Sequence, residues 1–327
     1  MSVLSSFGCG DAASDVMDAA SDVLAAAGEV MAAQDAPDAE AVDVASAVPA
    51  YAPCAMSARV GLFSIVLAAD YTAVEGRVAD GVVPANVRVA TDSEGDCRLL
   101  EGRSLSCEPA CRAGETCNDA GACIAYPTAQ SVGAVTVVGL SVPLSMQPTS
   151  LGAYNSAATS IPHPGFGEGD AITLTALGAV LPGFTLEGRG VAALSVTTDE
   201  VVLVRDAALA LDWTPGADAS ARIRMVLDLA HHGGIAASLE CDAVADDGHF
   251  ELPARLVSAL LDIGVAGYPT LTVSRRTADS ETIAPGCVEL AVLSEVTLPV
   301  VVPGLTSCSS DEQCTDSQTC QADLTCR

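Results

Sequence analysis

The residues whose chemistry could matter most in this chain are its cysteines. Four of them close the sequence, Cys308, Cys314, Cys320 and Cys326, each separated from the next by five residues. The stretch around them is polar and cannot bury enough apolar surface to fold alone, so it holds a shape only if the thiols are cross-linked or bind a metal. A second cluster, Cys97, Cys107, Cys111, Cys117 and Cys123, lies mid-chain. Neither cluster contains a C-x-x-C pair or a neighbouring histidine, the usual mark of zinc sites and redox pairs. Disulfides are therefore the expected chemistry, and an oxidising compartment the expected home.

The 13 cysteines are odd in number. Setting Cys9 aside leaves even groups: Cys54 with the five mid-chain residues, Cys241 with Cys287, and the terminal four. Even spacing in the terminal group suits interleaved links, Cys308 to Cys320 and Cys314 to Cys326. Cys54 is expected to join a mid-chain knot running from Cys97 to Cys123. Cys241 and Cys287 are expected to bridge two strands inside a buried core, since no other cysteine lies between 124 and 307.

Other candidate chemistry is sparse. His231-His232 is vicinal, but adjacent side chains diverge in a strand or turn, and no third ligand stands at metal spacing. With Gly233-Gly234 following, a hairpin tip is the simpler reading. His163 and His249 are isolated. Gly165-Phe-Gly-Glu-Gly169 lacks the lysine and the βαβ setting of a phosphate loop. Neither a G-x-S-x-G elbow nor an H-E-x-x-H helix occurs. The acidic runs Asp92–Asp96 and Asp242–Asp247 depart from calcium-loop spacing, so no cofactor is expected beyond adventitious calcium. Every basic residue is arginine, which removes lysine Schiff bases and lysine general bases. The chain is expected not to be an enzyme.

Charge narrows the partners further. With 42 acidic against 14 basic residues, the formal net charge is −28. Phosphate contacts need clustered basic side chains, so nucleic acid is excluded as a partner, and anionic head groups are excluded for the same reason. Aromatic residues make up only 3% of the chain, which leaves few rings for stacking on sugars.

Residues 1–50 form a separate region. Met1 to Gly8 resembles the end of a signal peptide, and Ser6-Phe-Gly-Cys9 resembles a bacterial lipobox, which implies lipidation of Cys9 and a start further upstream. An acidic low-complexity arm follows, in which Asp11-Ala-Ala-Ser-Asp-Val-Met17 recurs as Asp18-Ala-Ala-Ser-Asp-Val-Leu24. It reads as a partly helical stalk. The membrane is thus expected to be met only through the lipid anchor.

Strand patterning dominates the rest. Residues 51–126 read as a small β domain with the cysteine knot, and Gly76-Arg-Val-Ala-Asp-Gly81, closed by Pro84, resembles the opening hairpin of a transthyretin-like sandwich. Over 127–305 the period is two: Ile172, Leu174 and Ala176; Leu209, Leu211 and Trp213; Ala221, Ile223, Met225, Leu227 and Leu229; Leu271, Val273 and Arg275. Such strands bury one face, as antiparallel sheets do. Pro253–Gly264 alone reads as helix. The expected architecture is an antiparallel β-sandwich with jelly-roll-like topology, a smaller disulfide-rich β domain before it, and a cysteine-rich module over 306–327.

Gly95-Asp-Cys-Arg-Leu-Leu100, Cys107-Glu-Pro-Ala-Cys111, Gly114-Glu-Thr-Cys117, Ala122-Cys123 and Tyr126-Pro-Thr128, with the terminal repeat, resemble the uncharacterised cysteine-rich lipoproteins of myxobacterial type. That resemblance implies secretion and display on a bacterial outer membrane, and implies no activity. The expected function is a non-catalytic, surface-displayed structural or binding lipoprotein whose partner is a protein or glycan. The alternative is an extracellular module that recognises a carbohydrate or peptide through sandwich loops; a hydrolase with an unrecognised site is the remote one.

Overall fold

The computed structural model describes residues 51–230, 237–315 and 317–327. The arm expected over 1–50, the candidate lipidation residue Cys9, and His231-His232 lie outside the described residues. Eighteen strands occur within them. In chain order these are β1 (Arg59–Leu67), β2 (Thr72–Val78), β3 (Val89–Glu94), β4 (Cys97–Glu101), β5 (Glu115–Cys117), β6 (Cys123–Ala125), β7 (Val135–Val138), β8 (Leu144–Met146) and β9 (Ala153–Asn155). They continue with β10 (Ala171–Ala176), β11 (Phe184–Arg189), β12 (Val201–Val202), β13 (Leu209–Asp212), β14 (Arg222–Asp228), β15 (Ala237–Ala245), β16 (His249–Leu252), β17 (Thr270–Ile283) and β18 (Gly286–Val301). One α-helix, α1 (Ala254–Ile263), starts directly after Pro253 and buries Leu256, Val257 and Leu260, one stripe of a helical surface.

The long β17–β18 hairpin organises the molecule. It sits inside a ten-stranded sheet of order β3-β4-β15-β14-β17-β18-β1-β2-β9, with β12 pairing to the end of β18. Most neighbours are antiparallel, as the alternating pattern predicts. Two pairs, β1 with β18 and β12 with β18, run parallel. The even residues of β18 from Val288 to Val300 point to one face of the sheet, and they serve two cores in succession. Val288, Leu290 and Val292 pack with Phe63, Ile65, Val74, Val137, Ile172, Leu174 and Leu186, beneath a four-stranded sheet of order β11-β10-β7-β8. Val300 packs with Leu211, Trp213, Ile223, Met225, Leu227, Leu239, Leu256 and Leu271, beneath the β13–β16 pair and α1. Gly76 has no substitute in the first core, because a Cβ there would stand 2.0 Å from the Phe63 ring.

The architecture is mainly β and sandwich-like, as expected. The division at residue 126 is not. Strands β1 to β4 belong to the same sheet as β14, β15, β17 and β18, so residues 51–126 are not a domain apart, and residues 47–327 make one compact unit. The reason is the sheet order: local strand signals do not say which distant strand a hairpin will join.

A polar waist separates the two cores. Arg275 follows Leu271 and Val273 on the inward face, and its guanidinium is fully buried against Asp246, Nε to Oδ2 at 2.6 Å. Its other donors reach the carbonyls of Ala192, Ala193 and Thr214. Asp246 also accepts from Trp213 Nε1 at 2.7 Å and from the Gly216 amide at 3.1 Å. Beside it, Thr277 bonds the backbone of Arg189 and Ser294 bonds the Leu194 amide. Side chains thus satisfy the backbone of Arg189, the carbonyls of Ala192 and Ala193 and the amide of Leu194, while Gly190 and Ser195 bond to the backbone of Gly169, Asp170 and Thr214.

The twelve cysteines from Cys54 to Cys326 form six disulfides. The terminal links are Cys308–Cys320 and Cys314–Cys326, the interleaved pattern that the spacing predicts. Cys107–Cys117 and Cys111–Cys123 interleave in the same way around the β5–β6 pair. The remaining pairings correct the expectation. Cys54 and Cys97 stay out of the mid-chain knot: Cys54 joins Cys287, and Cys97 joins Cys241, directly opposite it on the neighbouring strand. A Cys241–Cys287 bridge is impossible here, because β14 and β17 stand between β15 and β18. Three strand spacings alone separate the two residues by at least roughly 14 Å, twice the Cα reach of a disulfide, and the register sets Cys241 level with Val296 rather than with Cys287. They also face opposite sides of the sheet, Cys241 lying in the second core and Cys287 one residue out of phase with Val288 and Leu290.

Candidate functional site

The face of the large sheet opposite the two cores carries the polar residues of each alternating strand. Arg98 of β4, Arg224 of β14, Glu240 of β15, Arg276 of β17 and Glu289 of β18 all project there. Each is flanked in sequence by residues of the core face: Cys97 and Leu99, Ile223 and Met225, Leu239 and Cys241, Arg275 and Thr277, Val288 and Leu290. Arg59 joins this face because a register shift at the start of β1 sets it opposite Cys287.

The segment from Tyr51 to Met56 lies across these strands as a strap. Cys54–Cys287 anchors it, the Ala52 amide donates to the Ala278 carbonyl at 2.9 Å, and the Cys54 amide donates to Glu289 Oε2 at 2.9 Å. Between strap and strands lies a cleft of about 450 Å³, walled by Pro53, Ala55 and Met56 and floored by charged residues. A groove of about 390 Å³ adjoins it at Met56 and Arg59 and runs on past Leu62 and Arg77.

Two networks make the floor. In the first, Glu240 is buried between two guanidinium groups: Arg224 contacts it through Nε at 3.2 Å and Nη2 at 3.0 Å, and Arg98 through Nη2 at 3.4 Å. In the second, Arg276 reaches Asp242 at 3.0 Å, Glu289 at 3.3 Å and the Tyr51 hydroxyl at 2.6 Å, and its guanidinium lies 5.3 Å over the Tyr51 ring. Arg59 approaches Glu289 from the other side at 3.5 Å. Burial pushes the Tyr51 phenol up, so the ring is a neutral hydrogen-bond donor to Asp242. Burial works against the Asp242 carboxylate too, but Arg276 and the Tyr51 hydroxyl together hold it below the usual carboxylate range. Arg276 is likewise disfavoured by burial and held above its ordinary value by Asp242, Tyr51 and Glu289.

The histidines do not gather at this cleft. His249 pairs with Asp212 at 2.7 Å across β13 and β16, where both side chains are more than half exposed. The hydrogen bond that the imidazole donates to Asp212, with smaller help from Glu251 and Asp247, raises the imidazole above its ordinary value. His163 Nδ1 lies 3.4 Å from Thr72 Oγ1, which itself accepts the Gly165 amide and so ties down a loop. The Gly165–Gly169 stretch is a loop, with Glu168 accepting the Ala217 and Asp218 amides. Both candidate calcium runs serve arginines instead. Asp92 and Glu94 pair with Arg255, Asp242 with Arg276, and Asp246 with Arg275. The Cys107–Cys111–Cys123 and Cys308–Cys314–Cys326 sulfurs cluster because disulfides stack there, and oxidised sulfur is not a thiolate ligand.

Sequence reasoning missed the cleft. Its one signal was the placement of arginine and glutamate at the polar positions of otherwise apolar strands.

No protein-family model and no curated protein matches the chain. Among solved structures, the FN1–FN3 domains of chicken CNTN1 align with 71% of this chain and 78% of that one, at 11% identity and a TM-score of 0.21. A likeness at that level carries no argument about function.

Proposed function

We propose that the chain is a non-catalytic binding protein displayed at the bacterial surface. A lipid on Cys9 holds it there, and the acidic arm over 11–50 spaces the folded body from the membrane. The observation that carries the reading is the disulfide framework. Six bridges fix a body of this size only where thiols are kept oxidised, which points outside the cytoplasm. Binding is favoured over a purely structural role by the strapped, charge-lined cleft, since concave sites with a few convergent polar groups are where ligands are held. A hydrolytic role has little to build on. His249 and Asp212 form a surface pair outside that cleft, and among the described residues the only side chain bonded to the His249 ring is that of Asp212.

The anchor has a direct test. In the native host, with its own upstream sequence, the protein is expected to incorporate a labelled fatty acid and to fractionate with membranes. Cys9→Ser should abolish the label and move the protein to the soluble fraction. Label retained in that variant, or none in the wild type, would overturn the anchor.

A further inference from the structure

We infer that the cleft under the Tyr51–Met56 strap is a binding site for a small monocarboxylate, gripped by the guanidinium groups of Arg98 and Arg224 with Arg59 at its margin. The inference deepens the binding reading above and rests on it.

The first argument is unspent donors. A guanidinium carries five N–H groups in a planar fork. Among the described residues, Arg98 makes one side-chain hydrogen bond, at 3.4 Å, and remains 44% exposed. Arg59 makes one ion pair, at 3.5 Å, and remains 35% exposed. Arginines placed only for stability would turn more of their forks onto the carboxylates around them, as Arg275 does.

Charge supplies the second argument. The floor sets four guanidinium groups, Arg59, Arg98, Arg224 and Arg276, against three internal carboxylates, Glu240, Asp242 and Glu289, with Asp96 exposed at the rim. Arg98 and Arg224 converge on the same oxygen, Oε1 of Glu240, at 3.4 and 3.2 Å. Two like charges are thereby held side by side around one buried anion, while the lining as a whole, with Asp96 included, holds as many carboxylates as guanidinium groups. A single carboxylate matches the fork geometry of these guanidinium groups. A dianion would meet Glu240 and Asp242 at close range with twice the charge. The field of a chain with net charge −28 also repels polyanions at distance, so a compact, singly charged ligand is the one the site admits.

The third argument is preorganisation. The strap is fixed covalently and by backbone hydrogen bonds, so ordering the site costs little on binding. Pro53, Ala55 and Met56 give an apolar wall for the body of the ligand, and the groove past Leu62 leaves room for it to extend. Two sources present this chemistry, the carboxyl end of a short peptide and a uronic acid sugar.

Calorimetric titration of the oxidised full chain at low salt and neutral pH separates them. The probes are N-acetylalanine and glucuronate, each beside its primary amide, with sulfate as the dianion. At least one carboxylate is expected to bind about tenfold or more tightly than its amide and than sulfate. The better carboxylate identifies the peptide or the sugar source. Arg98→Gln, at an exposed position, should keep the wild-type urea midpoint and weaken binding about tenfold or more, while Arg98→Lys should recover part of it. Three results would each overturn the assignment: no carboxylate bound by folded protein, an amide or sulfate bound as well, or Arg98→Gln without effect. Such a failure with fatty-acid labelling intact would remove the cleft and leave surface display standing. Lost labelling with binding intact would do the reverse.

Discussion

Arg275→Met is expected to lower the stability of the folded body by about 3–5 kcal/mol, the loss typical of removing one partner from a buried ion pair. The substitution keeps an apolar stem of similar length, so the loss arises chiefly from what is left behind. Asp246 would keep its negative charge in the waist between the two cores, with only Trp213 Nε1 and the Gly216 amide to compensate it. Three backbone carbonyls, of Ala192, Ala193 and Thr214, would lose their donor at the same time. Adding Asp246→Asn removes the stranded charge and keeps an acceptor, so the double variant should regain about 1–2 kcal/mol, a coupling that a double-mutant cycle reads directly. Urea denaturation of the four proteins is the measurement. A loss below about 1 kcal/mol for Arg275→Met, or no recovery in the double variant, would mean that the pair does not join the cores as described.

The second large effect concerns the strap. Cys54 and Cys287 are 233 residues apart in sequence, so their bridge closes a very long loop. Replacing both by serine is expected to lower stability by about 3–5 kcal/mol, mostly by freeing the unfolded chain. The Cys107–Cys117 link spans only 10 residues, and its removal should lower stability by about 2–3 kcal/mol. The two variants should also differ in kind. Losing the long link frees the anchor of the Tyr51–Met56 segment and so weakens the cleft, whereas losing the short one leaves the cleft intact. An unchanged urea midpoint after removal of Cys54 and Cys287 would contradict the pairing.

These effects show where local sequence stops being informative. Alternation at Ile223, Met225 and Leu227, or at Ile172 and Leu174, is set by which face of a strand meets a core, and it is visible residue by residue. The interleaved terminal links are visible as well, because short loops leave the chain few choices. Cys54, Cys97, Cys241 and Cys287 are different. Their partners depend on a sheet order, β15-β14-β17-β18-β1, that no local pattern encodes. The same holds for the cleft: Arg59, Arg98, Arg224 and Arg276 come from four strands, β1, β4, β14 and β17, that only the assembled sheet brings together. Arg275 lies between these cases. Its inward position is legible from Leu271 and Val273, but nothing near it in sequence announces Asp246 as the partner.

An oxidised body held outside the cytoplasm is the expectation that one measurement tests most directly. Intact source cells are treated with iodoacetamide before lysis, and the protein is then mapped without reduction. The expected result is no alkylated residue among the twelve cysteines from Cys54 to Cys326, with Cys54 linked to Cys287 and Cys97 to Cys241. Alkylated thiols at these positions, or a Cys241–Cys287 peptide, would contradict it.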